Sequence, residues 1–340
     1  MLRALRHWLV ARVTDGALLA APHLSARAAD RLAGVIARLG PRLPVLARMV
    51  ADNMRATGVY SVAAHGAYFA QLAGHFAGAL HALRCAPPTA AGGSPALAAL
   101  AAQRVELDNS VQRLQAALTA GRGVILVGPH ICNYLLNLAR LNQTVPLTVY
   151  LRYSKDRRRQ AAKERWYRAS GVAWISEPAG AGGPLGRLGR MAAALHAGRV
   201  LFITPDLPQK RDDGVAVGFF GREIYLPAGP ALLAERTGAP LFALTAALAG
   251  RRQRLLVRGP IDEAENGRGT SARRAAVRRR MQWFAAQFEH FVRTSPELWY
   301  LWGDKRWTRV FRGDARYVGP LGVRQCSASS EGTSARRAER

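Results

Sequence analysis

The chain has 340 residues, 49% of them hydrophobic, with 49 Lys and Arg against 22 Asp and Glu for a net charge of +27. That apolar share supplies a sizeable core and excludes global disorder, and the length fits one large α/β domain plus an added element. Such a charge implies polyanionic company (nucleic acid, an anionic membrane surface, or acidic carrier and phosphate groups), but no helix-turn-helix, zinc or RNA-reading motif supports nucleic acid.

In chain order, the N-terminal "MLRALRHWLVARVTDGALL" has neither a continuous apolar core nor a small-residue cleavage site, so it does not read as a secretory signal. Residues 1–84 read as an all-helical, membrane-proximal region rich in Ala, Leu and Arg. No charged residue lies between Arg55 and Arg84, and Tyr60, Tyr68, Leu72, Phe76 and Leu80 fall at multiples of four. This spacing predicts one apolar face, packed on a domain or lying on a membrane; His65, His75, His81 and the glycines argue against a spanning helix. No pair of these histidines has the four-residue ligand spacing, so they read as helix-surface residues rather than a metal site. Residues 85–104, opening on "CAPPTAAGGSP", read as a hinge, or as a loop followed by a short helix.

From residue 105 the texture changes. "GVILVG" (123–128), "LTVYLR" (147–152), "VAWIS" (172–176), "VLFITP" (200–205), "PLFALTAAL" (240–248) and "QRLLVRG" (253–259) read as strands. Helical stretches fall between or after them at 133–142, 156–169, 184–197, 228–237 and 272–293. Short apolar strands alternating with helices predict an α/β fold whose largely parallel central sheet is covered on both faces. The domain spans 105–312, and the polar, basic 313–340 reads as a disordered tail. Cys85, Cys132 and Cys326 are too few and too far apart for a disulfide framework or a metal cluster.

The first strand leads directly into "PHICNYL", which sets His130 at a strand-to-helix turn. A catalytic imidazole needs a partner that fixes its tautomer, usually a carboxylate, yet Gly128 to Leu151 contains no acidic residue. Several motifs follow in order: "RGVILVGPHICNYLL", "VYLRYS", "GRVLFITPDLPQKRDDGVAVGFFGREIYLPAGPALLAERTGAPL" and "SPELWYLWGDKRW". Over residues 45–310 this series resembles the bacterial lipid A biosynthesis (lauroyl/myristoyl) acyltransferases of the lysophospholipid acyltransferase superfamily.

The resemblance implies a glycerolipid-acyltransferase-like α/β core with an apolar groove, peripheral residence at the cytoplasmic face of the inner membrane, and an O-acyltransferase reaction. A hydroxyl of a lipid A precursor or related glycolipid attacks the thioester of an acyl carrier protein or coenzyme A donor. It implies no metal and no redox cofactor, only the acyl thioester co-substrate.

In the family the signature is His followed five positions later by Asp or Glu. Here His130 is followed at that position by Leu135, which cannot accept a hydrogen bond. By analogy with serine hydrolases, loss of the orienting acid costs on the order of 10⁴ in rate. Three readings stay open at this point. Asp206, at the end of "FITPD", supplies the carboxylate from the same edge of a parallel sheet; or Asn133 or a backbone carbonyl orients a neutral imidazole; or the chain is a catalytically impaired relative that binds lipid or acyl carrier protein. Cys132 lies two residues from His130, but the family usually has glycine there, and a thiolate needs an activating setting.

The remaining substrate-binding candidates also come from the resemblance. Arg152 matches a strand-end arginine suited to phosphate. The basic run Lys155, Arg157, Arg158, Arg159, Arg165 and Arg168 is half a solvated face and half a surface for acidic carrier protein or anionic lipid, with Arg168 matching a family arginine. Asn133 aligns with the motif, and Phe219, Phe220 and Gly221 match a segment that borders the acyl groove, although "GFFG" after "GVAV" taken by itself reads as a strand and turn with core aromatics. The aromatics of "ELWYLWGDKRW" suit either a membrane interface or a core.

Overall fold

The computed structural model describes Gly16, Ala20 and residues 23–85, 93–154, 156–177, 183–261 and 269–320. Among the described residues, four helices precede the α/β part: α1 (Ala26–Leu39), α2 (Pro44–Ala56), α3 (Val62–Cys85) and α4 (Pro95–Arg104). The α/β part opens with β1 (Val105–Leu107), α5 (Gln112–Leu118), β2 (Val124–Val127) and α6 (Tyr134–Asn142). It continues through β3 (Leu147–Arg152), α7 (Arg157–Ser170), β4 (Ala173–Glu177), α8 (Gly183–His196) and β5 (Val200–Ile203). A hairpin of β6 (Val215–Phe219) and β7 (Arg222–Leu226) precedes α9 (Gly229–Thr237), β8 (Leu241–Ala249) and β9 (Arg252–Arg258). Two helices, α10 (Thr270–Thr294) and α11 (Lys305–Phe311), close the fold.

The sheet has the order β1-β9-β8-β2-β5-β3-β4. All neighbours are parallel except the β8–β9 pair. Every residue of β2 and β5 is buried, as expected of central strands covered on both faces and written as unbroken apolar runs. Helix α7 shows how local chemistry fixes the ends: the Asp156 carboxylate accepts from the amides of Arg158 and Arg159, and Gly171 at φ 68° stops the helix.

The N-terminal helices are anchored to the C-terminal segment rather than set apart. Asn53, 2% exposed on α2, donates to the Trp302 carbonyl at 2.8 Å and to Thr308 Oγ1 at 3.1 Å. Tyr68 on α3 donates to the Tyr300 carbonyl at 3.1 Å. No described helix is long and apolar enough to cross a membrane.

In the 85–104 segment, residues 86–92 lie outside the described residues, while Pro95–Arg104 is α4, the short helix expected after the loop, with Leu97 and Ala101 fully buried. Two expectations need revision. The tail expected from 313 is ordered to 320: Tyr317 and Val318 are buried and Val318 bridges Ile224, whereas 321–340 lie outside the described residues. His81 is 2% exposed and contacts Asp30 at 3.2 Å, and His65 reaches the Ala47 carbonyl at 3.0 Å. These histidines tie helices together instead of facing solvent. One side of the charge-free stretch packs on α1 and the sheet domain, burying Tyr68, Phe69, Leu72 and His81, while Val62 and Phe76 stay exposed.

Asn53→Ala is expected to leave the Trp302 carbonyl buried and unpaired. Stability should fall by about 1–3 kcal/mol, read as a lower denaturant midpoint at unchanged slope.

Candidate active site

Parallel register builds the site. Val127, the last residue of β2, pairs with Ile203, the last residue of β5. Three residues beyond each strand end stand His130 and Asp206, so equal register delivers them side by side at the carboxyl edge of the sheet. Strand β3 pairs with the other side of β5 and ends in Arg152. Ligand clefts of open α/β sheets lie at this edge.

Asp206 is 0% exposed, and its carboxylate is fully engaged. Oδ1 meets His130 Nδ1 at 2.5 Å; Oδ2 accepts from the His130 amide at 2.7 Å and from Trp299 Nε1 at 3.1 Å. Its backbone carbonyl accepts from Trp307 Nε1 at 3.0 Å. Burying a carboxylate is expensive unless each lone pair finds a donor, and here imidazole, amide and indole supply them. The His130 loop is clamped as well: its carbonyl accepts from the Tyr300 amide, the Cys132 amide donates to the Leu298 carbonyl, and Ile131 bridges Trp299.

A carboxylate only accepts, so Nδ1 carries the proton and Nε2 keeps its lone pair. Nε2 lies 3.5 Å from Thr204 Oγ1 and faces a cleft of about 640 Å³. The arrangement is that of a general base held in one tautomer with a buried acid behind it. His75 lies against Tyr300, ring centroids 4.6 Å apart. Burial, with a smaller push from His130, brings His75 down to about 4, so its ring adds no charge near the site at neutral pH. Burial pushes the Cys132 thiol far up, which removes it as a thiolate nucleophile.

Aliphatic and aromatic side chains including Tyr134, Tyr167, Leu188, Met191 and Leu207 line the cleft. Four cations, Arg152, Lys163, Arg187 and Arg306, share it. Arg306 is held by Asp304 at 3.0 Å. Burial lowers the Lys163 ammonium from its ordinary value, and the neighbouring charges of Arg152 and Arg159 lower it further. An anionic group entering the cleft would relieve that crowding.

Arg152 is therefore where the sequence places it, while several other candidates are not. Arg168 is exposed on α7 and pairs with Glu164 at 3.4 Å; Lys163 and Tyr167, four residues apart on one face, line the cleft instead. Asn133 forms the turn: φ 59°, ψ 27° is left-handed backbone that Asn tolerates, and its side chain lies against Gly74 of α3. The groove-wall assignment of Phe219, Phe220 and Gly221 is corrected too. Phe219 is 1% exposed and stacks on Phe288 at 4.6 Å, beside Trp307 at 5.3 Å. Phe220 (φ 47°) and Gly221 (φ 70°) make the β6–β7 turn, fixed by the Phe220 amide donating to Glu289 at 2.6 Å.

The tryptophans at 299, 302 and 307 are fully buried, so they are core rather than interface, and two of them hold Asp206. Lys163, Arg187 and Thr204 were not singled out in the sequence, and Arg306 only as a cation beside the aromatics of "ELWYLWGDKRW". The i, i+4 pair Lys163–Tyr167 was the available signal. Leu135 is 6% exposed within the core formed by α6 and its neighbours, where it packs as a leucine should.

Residues 100–309, more than half of the chain, match the family described as bacterial lipid A biosynthesis acyltransferase. No curated protein matches the chain at a significant level. The matched span contains all the cleft-lining side chains named above. With its mostly parallel sheet, the chain belongs to the bacterial lipid A biosynthesis acyltransferase family.

Proposed function

We propose that the protein transfers a fatty acyl chain from a thioester, on acyl carrier protein or coenzyme A, to a hydroxyl of a lipid A precursor or related glycolipid. One observation carries this reading above that of an impaired relative: the acid absent at Leu135 is supplied by Asp206, bonded to His130 Nδ1 at 2.5 Å. His130 Nε2 takes the acceptor hydroxyl's proton as its oxygen bonds to the thioester carbonyl carbon. Collapse of the tetrahedral adduct breaks the C–S bond, and the departing sulfur takes the proton back from the imidazolium. Asp206 holds the ring and stabilises its charged form during the exchange. Arg152, Lys163 and Arg187 bind phosphate on donor or acceptor, and the apolar lining takes the acyl chain.

The same reading places the protein on the cytoplasmic face of the inner membrane. Leu32, Val35 and Leu39 share one face of α1 and are 44%, 46% and 53% exposed, with Leu43 at 53% and Val45 at 81% beside them. Apolar side chains on such a face, in a chain of net charge +27, suit an interfacial helix on anionic lipid.

Asp206→Asn should lower kcat by roughly 10³–10⁴ while folding is retained, because an amide can hold the wrong tautomer and cannot stabilise the imidazolium. His130→Ala should abolish transfer of a labelled acyl thioester; transfer surviving it unchanged would overturn the mechanism. Leu135→Glu should restore nothing to Asp206→Asn and should cost roughly a few kcal/mol of stability, because it buries an unpaired charge.

Lys163→Ala, which removes a half-buried cation, should raise KM about tenfold, and the exposed Arg152→Ala about threefold. Arg168→Ala should leave KM unchanged. Sedimentation with anionic liposomes should weaken at high salt without vanishing, since only the electrostatic part is screened. Val35→Asp with Leu39→Asp should remove the salt-resistant part.

A further inference from the structure

Beside the catalytic cleft runs a second concavity of about 810 Å³, between α9 and the first turns of α10. Its floor is apolar, made by Val215, Ala228, Leu232 and Val277, and its rim carries Arg236, Arg273, Arg274 and Arg278. The rim follows from helical spacing. Thr270, Arg273, Arg274, Val277 and Arg278 form one stripe of α10, and Leu232 and Arg236 form its counterpart on α9. Leu232 is 50% exposed, a large apolar side chain left uncovered on this floor.

Among the described residues nothing neutralises the charge of the rim. Glu235 also lines the groove, but its carboxylate is committed to the buried Arg280 at 2.6 Å. Among the described residues none of the four rim arginines has an ion pair. The groove is also placed by the cleft: Pro227, Gly229 and Pro230 line the His130 site, and Ala228 between them lines the groove. From Gly229 to Arg236 the helix advances about 10 Å at 1.5 Å per residue. A partner seated here therefore stands at the cleft mouth.

We propose that this groove docks the protein half of the acyl donor: a small acidic helical protein that carries the thioester and lays an acidic, amphipathic helix between α9 and α10. This inference rests on acyl transfer at the His130 cleft and commits the donor to a carrier protein. A concave, apolar-floored channel fits a helix rather than a bilayer. Four arginines without an ion pair among the described residues complement an acidic partner and speed its encounter. The exposed apolar residues of α1 and α2, by contrast, belong to a different part of the chain.

The test compares full-length protein with the double variant Arg273→Glu/Arg274→Glu and with Arg273→Lys/Arg274→Lys. Two donors bear the same lauroyl chain, one on acyl carrier protein and one on coenzyme A. The charge reversal should lower kcat/KM for the carrier-protein donor, relative to the coenzyme A donor, on the order of tenfold, and the lysine variant should keep most of it. Equal losses with both donors, or no loss with either, would overturn the proposal. So would a charge reversal that weakens sedimentation with anionic liposomes and spares the donor ratio, since the groove would then be a lipid contact.

Binding is measured separately by titrating holo acyl carrier protein into the His130→Ala protein with and without the reversal. Binding that the reversal removes supports the docking site even if no transfer is found, in which case the catalytic reading alone fails. Absent binding, or binding that the reversal leaves unchanged, refutes the docking site whether or not transfer occurs.

Discussion

The structure turns on a buried carboxylate and the imidazole it holds. Asp206 has no solvent, and its side chain is satisfied by three donors: His130 Nδ1, the His130 amide and Trp299 Nε1. Removing any one partner from such a site leaves desolvated charge uncompensated, which costs more than the pair itself contributes. Much else in the chain serves that satisfaction. Equal register of β2 and β5 brings the two residues together, the 298–300 segment pairs with 130–132, and α2 and α3 hold the same C-terminal segment from behind.

This arrangement explains how a leucine can stand where the family's motif has an acid. When His and acid share one helical turn, the residue five positions after His must face the imidazole. Here the acid comes from the adjacent strand, 76 residues away, and the first turn of α6 is released to pack. Leu135 and Leu136 are both buried there. The carboxylate's position is set by sheet register instead, a constraint that main-chain hydrogen bonds enforce throughout the sheet.

The fold was largely legible because its signals are periodic. Six of the sheet strands and five helices fall within about two residues of the expected bounds, the usual fraying of element ends. The short β1 escaped notice because three residues carry no period. In the site, His130, Asp206 and Arg152 were readable because a strand end announces its position. Lys163, Arg187 and the supporting tryptophans were not, because which face a helix or an irregular segment turns inward is decided by tertiary packing. The GFFG segment reads as a strand and turn with core aromatics from its residues and as groove wall from the resemblance; two adjacent positive-φ residues make the turn, and the hairpin's docking decides that Phe219 packs inward.

The distances along the chain around Asp206 bear on how the protein matures. His130 is made well before its acid, and the indoles that satisfy Asp206 follow a further 93 and 101 residues later. A nascent chain that has released β5 but not the 299–307 segment already holds Asp206 where the sheet wants it, with two of its donors still inside the ribosome. Contacts this distant in sequence close last. The α/β core can therefore collapse during synthesis with His130 and Asp206 already side by side, while the buried carboxylate gains its Trp299 donor only as the final segment docks.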